Sequence, residues 1–274
     1  MTPEEAARAE LEAEVRALVE RGDGEAACRL AADNWRQWFS SGDIVGGRRV
    51  LATALWTDGP PSRARALALY ADGVLAFRAG DQAGSSARNE AALKVARQVE
   101  DKEAESLALV GLSRVALRDG DYGRVCSLAS DARELAPTAE AEVNPLHMLA
   151  VGTRLGGDLD AAADLYAESA ELNRRLDNPG MVGMELHNLG HLEIRRGNVD
   201  AAKRHFADCH PLRDAGNPYD NAMKDLNDAA LSAVAGDRDR AGELVSRAEQ
   251  TLEQAGILLD PDDQSEVDWL RAQL

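Results

Sequence analysis

Two histidines have the spacing that best suits metal chemistry. His187 and His191 are four positions apart, so both side chains would fall on one face of a helix. A helix-borne zinc hydrolase carries Glu directly after its first histidine, but Asn188 stands there. A third ligand could come from His147 or Glu193, although no spacing requires it. Two interpretations stay open: a metal-dependent enzyme and, as the preferred one, polar residues in a binding groove.

The rest of the sequence offers little to a catalytic mechanism. It contains neither the phosphate loop Gly-x-x-x-x-Gly-Lys-Ser/Thr nor the nucleophile turn Gly-x-Ser-x-Gly. Cys28, Cys126 and Cys209 lack the paired spacing of a disulfide framework or a zinc site. We therefore expect a protein that is not an enzyme and that uses no cofactor and no metal.

Charge and hydropathy restrict the partners. The net charge of −17 over 274 residues opposes direct binding of nucleic acid, which depends on Lys and Arg neutralising phosphates. The sequence contains neither a run of 18 uncharged apolar residues nor the pattern of a signal peptide. We expect a cytoplasmic protein with no nucleic-acid or membrane partner.

A repeated turn signal indicates which elements position the candidate residues. Gly followed by Asp or Asn recurs at steps of 38, 40, 37, 40 and 39 residues. The six signals are Gly42-Asp43, Gly80-Asp81, Gly120-Asp121, Gly157-Asp158, Gly197-Asn198 and Gly236-Asp237. Gly ends a helix readily in the left-handed conformation, and Asp or Asn caps the next helix. The flanking apolar spacing is helical, so each repeat is predicted to be two helices joined at the Gly. In the fifth repeat the first helix is predicted from Met181 to Arg196, with Asn198 capping the second.

Small residues recur around each turn. Seven residues before the Gly lie Trp35, Gly73, Ser113, Ala150, Gly190 and Ala229, and five after it lie Gly47, Ser85, Val125, Ala162, Ala202 and Ala241. Larger residues follow nine positions after the Gly, including Tyr166 and Phe206, where they could pack against the neighbouring hairpin. This pattern resembles the tetratricopeptide repeat over residues 26–256, with a longer period than the family's usual 34. The resemblance implies an all-α fold, a right-handed superhelix of about six helix-turn-helix repeats. Residues 1–25 and 257–274 would form capping helices.

The same resemblance implies where a ligand would bind. In tetratricopeptide arrays the first helix of each hairpin lines the concave surface, and in this register that surface collects Arg and His with hardly a carboxylate. The predicted groove residues are Arg36, Tyr70, Phe77, Arg78, Arg114, Arg118, His147, Arg154, His187, Asn188, His191, Arg195 and Asn227. Guanidinium groups bind carboxylates bidentately, and an Asn side chain can bond an extended peptide. The expected partner is therefore an acidic peptide or protein segment.

A second resemblance concerns the first repeat. The segment from Arg29 to Asp43, with Gly46-Gly47-Arg48-Arg49-Val50-Leu51 after it, resembles the tetratricopeptide sensor region of bacterial LuxR-like and SARP-like ATPase regulators. Gly46 replaces their usual Glu. Leu186-His187-Asn188-Leu189-Gly190 is similar to their Leu-x-Asn-Leu-Gly helices. Because the ATPase and DNA-binding domains of those regulators lie outside the repeats, the resemblance implies only the sensor part, either free-standing or cut from a longer chain.

The sequence leaves three hypotheses for the function. The leading hypothesis is a non-catalytic peptide- or protein-binding module, a sensor or adaptor in bacterial transcriptional regulation, with an acidic segment in its groove. The alternative is an assembly scaffold that forms homo-oligomers through its convex face or its ends. The second alternative is the metal-dependent enzyme built on His187 and His191.

Overall fold

A computed structural model describes residues 3–274. Over that range the regular structure is helical throughout, with one 3₁₀ turn at His210–Leu212 and no β-strand. The helices are α1 (Pro3–Glu20), α2 (Gly24–Asn34), α3 (Arg36–Ser41), α4 (Ile44–Leu55), α5 (Arg63–Arg78), α6 (Gln82–Gln98), α7 (Lys102–Arg118), α8 (Tyr122–Leu135), α9 (Ala139–Leu155), α10 (Leu159–Arg175), α11 (Pro179–Arg195), α12 (Val199–Cys209), α13 (Pro218–Val234), α14 (Arg238–Gln254) and α15 (Pro261–Gln273). The predicted all-α class is confirmed. None of these helices has the length and apolar character needed to cross a membrane.

The six turn signals form the six predicted helix-to-helix turns. Every turn Gly has a positive φ, from 72° at Gly120 to 98° at Gly157, as a left-handed helix end requires. The Asp that follows accepts a hydrogen bond from the backbone N–H three residues later, as Asp81 does from Gly84 at 2.9 Å. Asn198 differs from the prediction. Its amide donates to Glu193 Oε2 at 2.6 Å instead of capping α12, so the polar side chain closes the turn and leaves the helix end uncapped.

The first hairpin also departs from the expected pattern. Its first helix is interrupted at Trp35, which separates α2 from the short α3. Trp35 and Trp38 are both buried, so the break places two large rings into the core, and at the position of Trp35 the other repeats carry small residues. In the fifth hairpin the first helix runs over Pro179–Arg195, within two residues of the predicted bounds.

The small residues allow close helix packing within and between hairpins. A Cβ added at Gly190 of α11 would lie 2.1 Å from the ring of Phe206 on α12. Asn89 of α6 fills the space beside two glycines, Gly73 on α5 and Gly111 on α7, where an added Cβ would meet its side chain at 2.6 and 2.0 Å. Phe206 and Asn89 each lie nine positions after a turn Gly. Phe206 packs against the other helix of its own hairpin, and Asn89 packs against its own hairpin and the following one.

The chain packs as two compact units. Unit 1 takes the described residues up to Asp119 together with Ser127–Pro145, and unit 2 takes Gly120–Cys126 and Leu146–Leu274. The core of unit 1 includes Trp38, Leu51 and Leu75. In unit 2, Phe206, Met223 and Leu226 pack with Leu244 and with Leu270 of α15. The last helix is therefore part of the unit 2 core, inside the segment predicted as the C-terminal cap.

Candidate functional site

In unit 1, cationic side chains of the first helices lie on aromatic rings. The guanidinium carbon of Arg36 is 4.9 Å from the ring centre of Trp35, and that of Arg78 is 5.2 Å from Phe39. Arg118 lies 3.7 Å from the ring of Phe77 and donates to the Phe77 carbonyl at 2.7 Å. Stacking uses the face of a guanidinium and leaves its edge N–H groups able to donate to oxygen acceptors, as Arg118 does to the Phe77 carbonyl.

The other predicted residues of unit 1 differ in how deeply they are buried. Tyr70 and Phe77 are buried, and the Tyr70 ring meets Trp35 edge-on at 6.4 Å. Arg114 is half-buried on α7, and among the described residues neither it nor Arg78 forms an ion pair. We call the four arginines Arg36, Arg78, Arg114 and Arg118 the unit 1 cationic face.

In unit 2 two arginines from successive hairpins converge on one carboxylate. Arg154 of α9 and Arg195 of α11 both bind Glu266 of α15, Arg195 at 2.8 Å. Arg154 and Glu266 are 2% and 1% exposed, so this contact is excluded from water. His191 Nδ1 lies 3.3 Å from Glu266 Oε2, the oxygen that also accepts from Arg195. We call Arg154 and Arg195 the unit 2 carboxylate site.

Further polar contacts fix the beginning of α15. Arg154 donates to the Asp262 carbonyl and Arg195 to the Ser265 carbonyl, each at 3.3 Å. The hydroxyl of Tyr219 on α13 donates to Asp263 Oδ2 at 2.7 Å. These bonds satisfy carboxylates and carbonyls of α15 from three different helices, and they orient its acidic face toward the first helices of the hairpins.

His187 and His191 lie in a buried network beside this site. His187 Nδ1 is 2.7 Å and His191 Nε2 is 3.0 Å from the same atom, Asn227 Oδ1 of α13. Because an amide oxygen only accepts, both ring nitrogens carry the proton that they share with it. The two histidines are 2% and 1% exposed, and Asn188 and Asn227 are buried as well. The structure therefore encloses these four predicted groove residues in a buried hydrogen-bond network.

The environment of this network suppresses positive charge on the imidazoles. Burial, with the charges of Arg154 and Arg195 adding to it, lowers the pKa of His191 to about 3. Burial also lowers the pKa of His187 well below its ordinary value, and the nearby His191 acts in the same direction. Burial and the Arg154 charge lower the pKa of Arg195 to about 10. The charges that face Glu266 at neutral pH are therefore the two guanidinium groups.

The suggested third metal ligands have other partners. His147 Nδ1 lies 3.0 Å from Glu185 Oε1, which also accepts from the Ser169 hydroxyl at 2.7 Å. Glu193 binds Arg196 at 2.7 Å and the amide of Asn198. Within residues 3–274, no group of three His, Cys, Asp or Glu side chains is arranged to hold a metal ion. The structure does not place His147 or Glu193 where either could join His187 and His191 around one ion.

Sequence reasoning missed the acidic partner of the site. The predicted groove residues Arg154, His187, His191, Arg195 and Asn227 are brought together, but Glu266, Asp263 and Tyr219 were absent from the prediction. A signal for them exists in the acidic start of α15, where Asp260, Asp262 and Asp263 precede Glu266. Such an acidic run in a sequence whose repeats carry Arg on their first helices could have indicated an internal ligand.

Comparison with known proteins gives structural matches alone. No family model and no curated protein matches the sequence. A Rap protein in complex with competence and sporulation factor aligns at a TM-score of 0.61 and 14% identity, over 98% of this chain and 81% of that one. A tetratricopeptide repeat protein from Parabacteroides merdae aligns at 0.58 and 13%, over 90% and 93%. PilF of Pseudomonas aeruginosa aligns at 0.58 and 17%, over 88% and 98%. The predicted fold is confirmed: the chain has the all-α tetratricopeptide repeat fold.

Proposed function

We propose that the protein is a non-catalytic binding module that recognises an acidic peptide or protein segment through the arginines on the first helices of its hairpins. The observation that supports this most directly is the contact of Arg154 and Arg195 with Glu266 in unit 2. It supports the proposal because, within the molecule, two guanidinium groups of the predicted set bind a carboxylate carried on a helix.

The unit 1 cationic face supplies the second support. Its arginines are carried on aromatic rings or lie half-buried, so their long side chains are held in place before a ligand arrives. Holding flexible side chains in position reduces the entropy lost when they bind. The same face carries Arg114 without an ion-pair partner among the described residues, which leaves its charge available to an acidic segment.

The regulatory role is proposed on similarity. The stretch from Arg29 to Leu51 resembles the sensor region of the bacterial LuxR-like and SARP-like regulators, and the fold aligns with a Rap protein determined in complex with competence and sporulation factor. We propose that this chain likewise acts in the bacterial cytoplasm as a sensor or adaptor. It would respond to its ligand by changing which protein it binds, and it would catalyse no reaction.

Charge reversal on the unit 1 cationic face tests the binding function. The probe is a fluorescein-labelled peptide of alternating Gly and Glu, which is acidic and too flexible to form a helix. R114E/R118E in the full chain should weaken its binding by about tenfold or more, because each charge-assisted hydrogen bond contributes roughly 1.5–3 kcal/mol. Fluorescence anisotropy measures the dissociation constant.

The matched control is R21E/R124E. Arg21 and Arg124 are exposed and lie off the first-helix face, and their reversal changes the net charge by the same amount. The control should lose less than about threefold, the part due to long-range charge alone. Equal losses in the two double variants would show that only net charge matters and would remove the unit 1 cationic face from the account.

A further inference from the structure

We propose that the unit 2 carboxylate site binds an acidic amphipathic helix of a partner protein, and that α15 occupies the site as an internal substitute that the partner displaces. The inference rests on the proposed function and names its partner class. The helix would carry the pattern that α15 presents: Asp263 and Glu266 three residues apart, followed by Val267 and Leu270 on the same face.

Charge is the first argument that α15 is a substitute. A helix that only closes the end of a repeat array needs apolar contacts, which Val267 and Leu270 already provide in the unit 2 core. The site adds two guanidinium groups around one buried carboxylate, and of the two Arg154 is withdrawn from water while the Arg195 side chain stays 17% exposed. Burying charge is costly unless it is fully paired, so this arrangement is a poor way to build a permanent cap.

Incomplete hydrogen bonding is the second argument. Arg154 Nε and Arg195 Nε are buried and find no hydrogen-bond partner among the described protein groups. Buried polar groups in proteins are nearly always bonded. A helix with one more carboxylate near this site would neutralise the second guanidinium and accept from these two N–H groups, and it would therefore bind more tightly than α15 does.

The connection to α14 is the third argument. Residues 255–260 form no helix or strand between α14 and α15, and Gly256 in this segment has a φ of 65°. Leu258 of the same segment is 73% exposed, while Ile257 and Leu259 on either side of it are only partly buried against the unit 2 core. The contacts of α15 within unit 2 are with α13 and α14 and with the site itself, so it can leave while still tethered.

The test uses the full chain and a fluorescein-labelled peptide of residues 259–274. Wild-type protein should bind the peptide weakly, because α15 competes from within the same molecule at high effective concentration. Glu266→Gln in the chain weakens the internal competitor and should raise the affinity for the peptide by about tenfold or more, the equivalent of one charge-assisted hydrogen bond. The same substitution in the peptide should reverse the gain.

Glu266→Gln leaves Arg154 buried without its partner, so this variant can misfold. A second variant that keeps this ion pair tests the inference without that risk. Val267→Ala in the chain removes only an apolar contact of α15, and it should raise peptide affinity in the same direction by a few fold. Far-ultraviolet circular dichroism confirms that both variants remain helical. A scrambled peptide of the same composition is the control for charge, and it should bind at least about tenfold more weakly.

Two results would overturn the inference. One is equal affinity of the peptide for the wild type and for both variants. The other is a folded dimer in which α15 is exchanged between two copies, seen by light scattering, because the occupant would then be a second copy. If the Gly-Glu peptide still binds through Arg114 and Arg118 in either case, the proposed function stands. If neither peptide binds any variant, the proposed function itself fails.

Discussion

At the scale of single residues, the arginines of the two units contact different kinds of partner. Arg78 and Arg118 in unit 1 stack on aromatic rings, while Arg154 and Arg195 in unit 2 bind a carboxylate that is 1% exposed. An ion pair is worth little at the surface and depends strongly on complete pairing when it is buried. The buried pair in unit 2 therefore depends on its acidic partner, whereas the half-buried Arg78 and Arg118 of unit 1 are held by aromatic rings.

Protonation of Asp263 should set the pH dependence of α15. Burial first, and then the charges of Asp262 and Asp260, raise the pKa of this carboxyl to about 7, although Tyr219 donates to it and the Arg154 charge opposes the shift. A raised pKa means that the folded protein holds the proton more tightly. The stability it contributes is therefore full below the ordinary pKa near 4 and is lost as the pH rises through about 7.

Thermal melting of the wild type and of Asp263→Asn between pH 5 and 8.5 measures this effect, because the amide of the variant does not titrate. His187 and His191 act in the opposite direction in both proteins: folding lowers their pKa values, so stability is gained as the unfolded imidazoles lose their protons near the ordinary pKa of about 6.5. The stability of the wild type relative to Asp263→Asn should therefore fall as the pH rises through about 7. A difference between the two proteins that does not change with pH would contradict the raised pKa of Asp263.

Gly190 should be intolerant of any side chain. An added Cβ would lie 2.1 Å from the Phe206 ring, so Gly190→Ala forces α11 and α12 apart and should cost about 1–3 kcal/mol of unfolding free energy. Gly180→Ala on the same helix is the control, because its added Cβ meets nothing within 4 Å. It should leave stability unchanged or slightly higher. Urea unfolding measures both, and equal effects would argue against the close packing of this hairpin.

At the scale of helices, the turns are specified locally. A Gly with positive φ followed by a capping Asp needs only neighbouring atoms, which is why six repeats with unequal side chains form the same turn. The exception at Asn198 has a local cause as well, since Glu193 five residues earlier takes its amide. The interruption at Trp35 was not predictable in this way, because it depends on where two indole rings fit in the core.

The cap of α14 gives a direct test of this local specification. Asp237 accepts from the Arg240 N–H at 3.2 Å, and Asp237→Ala should lower the unfolding free energy by about 1 kcal/mol. Asp239→Ala removes the same charge from the same first turn without removing a capping bond, and it should cost only a few tenths of a kcal/mol. Chemical denaturation compares the two, and identical losses would assign the effect to charge alone.

At the scale of the whole molecule, the sequence was sufficient for the fold but not for the site. Periodic glycines and small residues predicted the hairpins and the tetratricopeptide fold because each signal acts within one repeat. The contact of Arg195 with Glu266 joins residues 71 positions apart, and that of Arg154 with the Asp262 carbonyl joins residues 108 apart. No repeat signal covers such distances, so the basic residues could be predicted and their acidic partner could not.

The most direct test of the account is a double-mutant cycle between the added peptide 259–274 and the full chain. The cycle pairs Glu266→Gln in the peptide with Arg195→Gln in the chain, and the chain carries Glu266→Gln throughout so that α15 competes less strongly for the site. Isothermal titration calorimetry gives the four binding free energies. Recognition of a carboxylate by this guanidinium predicts a coupling energy of about 1.5 kcal/mol or more. A coupling energy of zero would contradict the account, since the two groups would then not meet when the peptide binds.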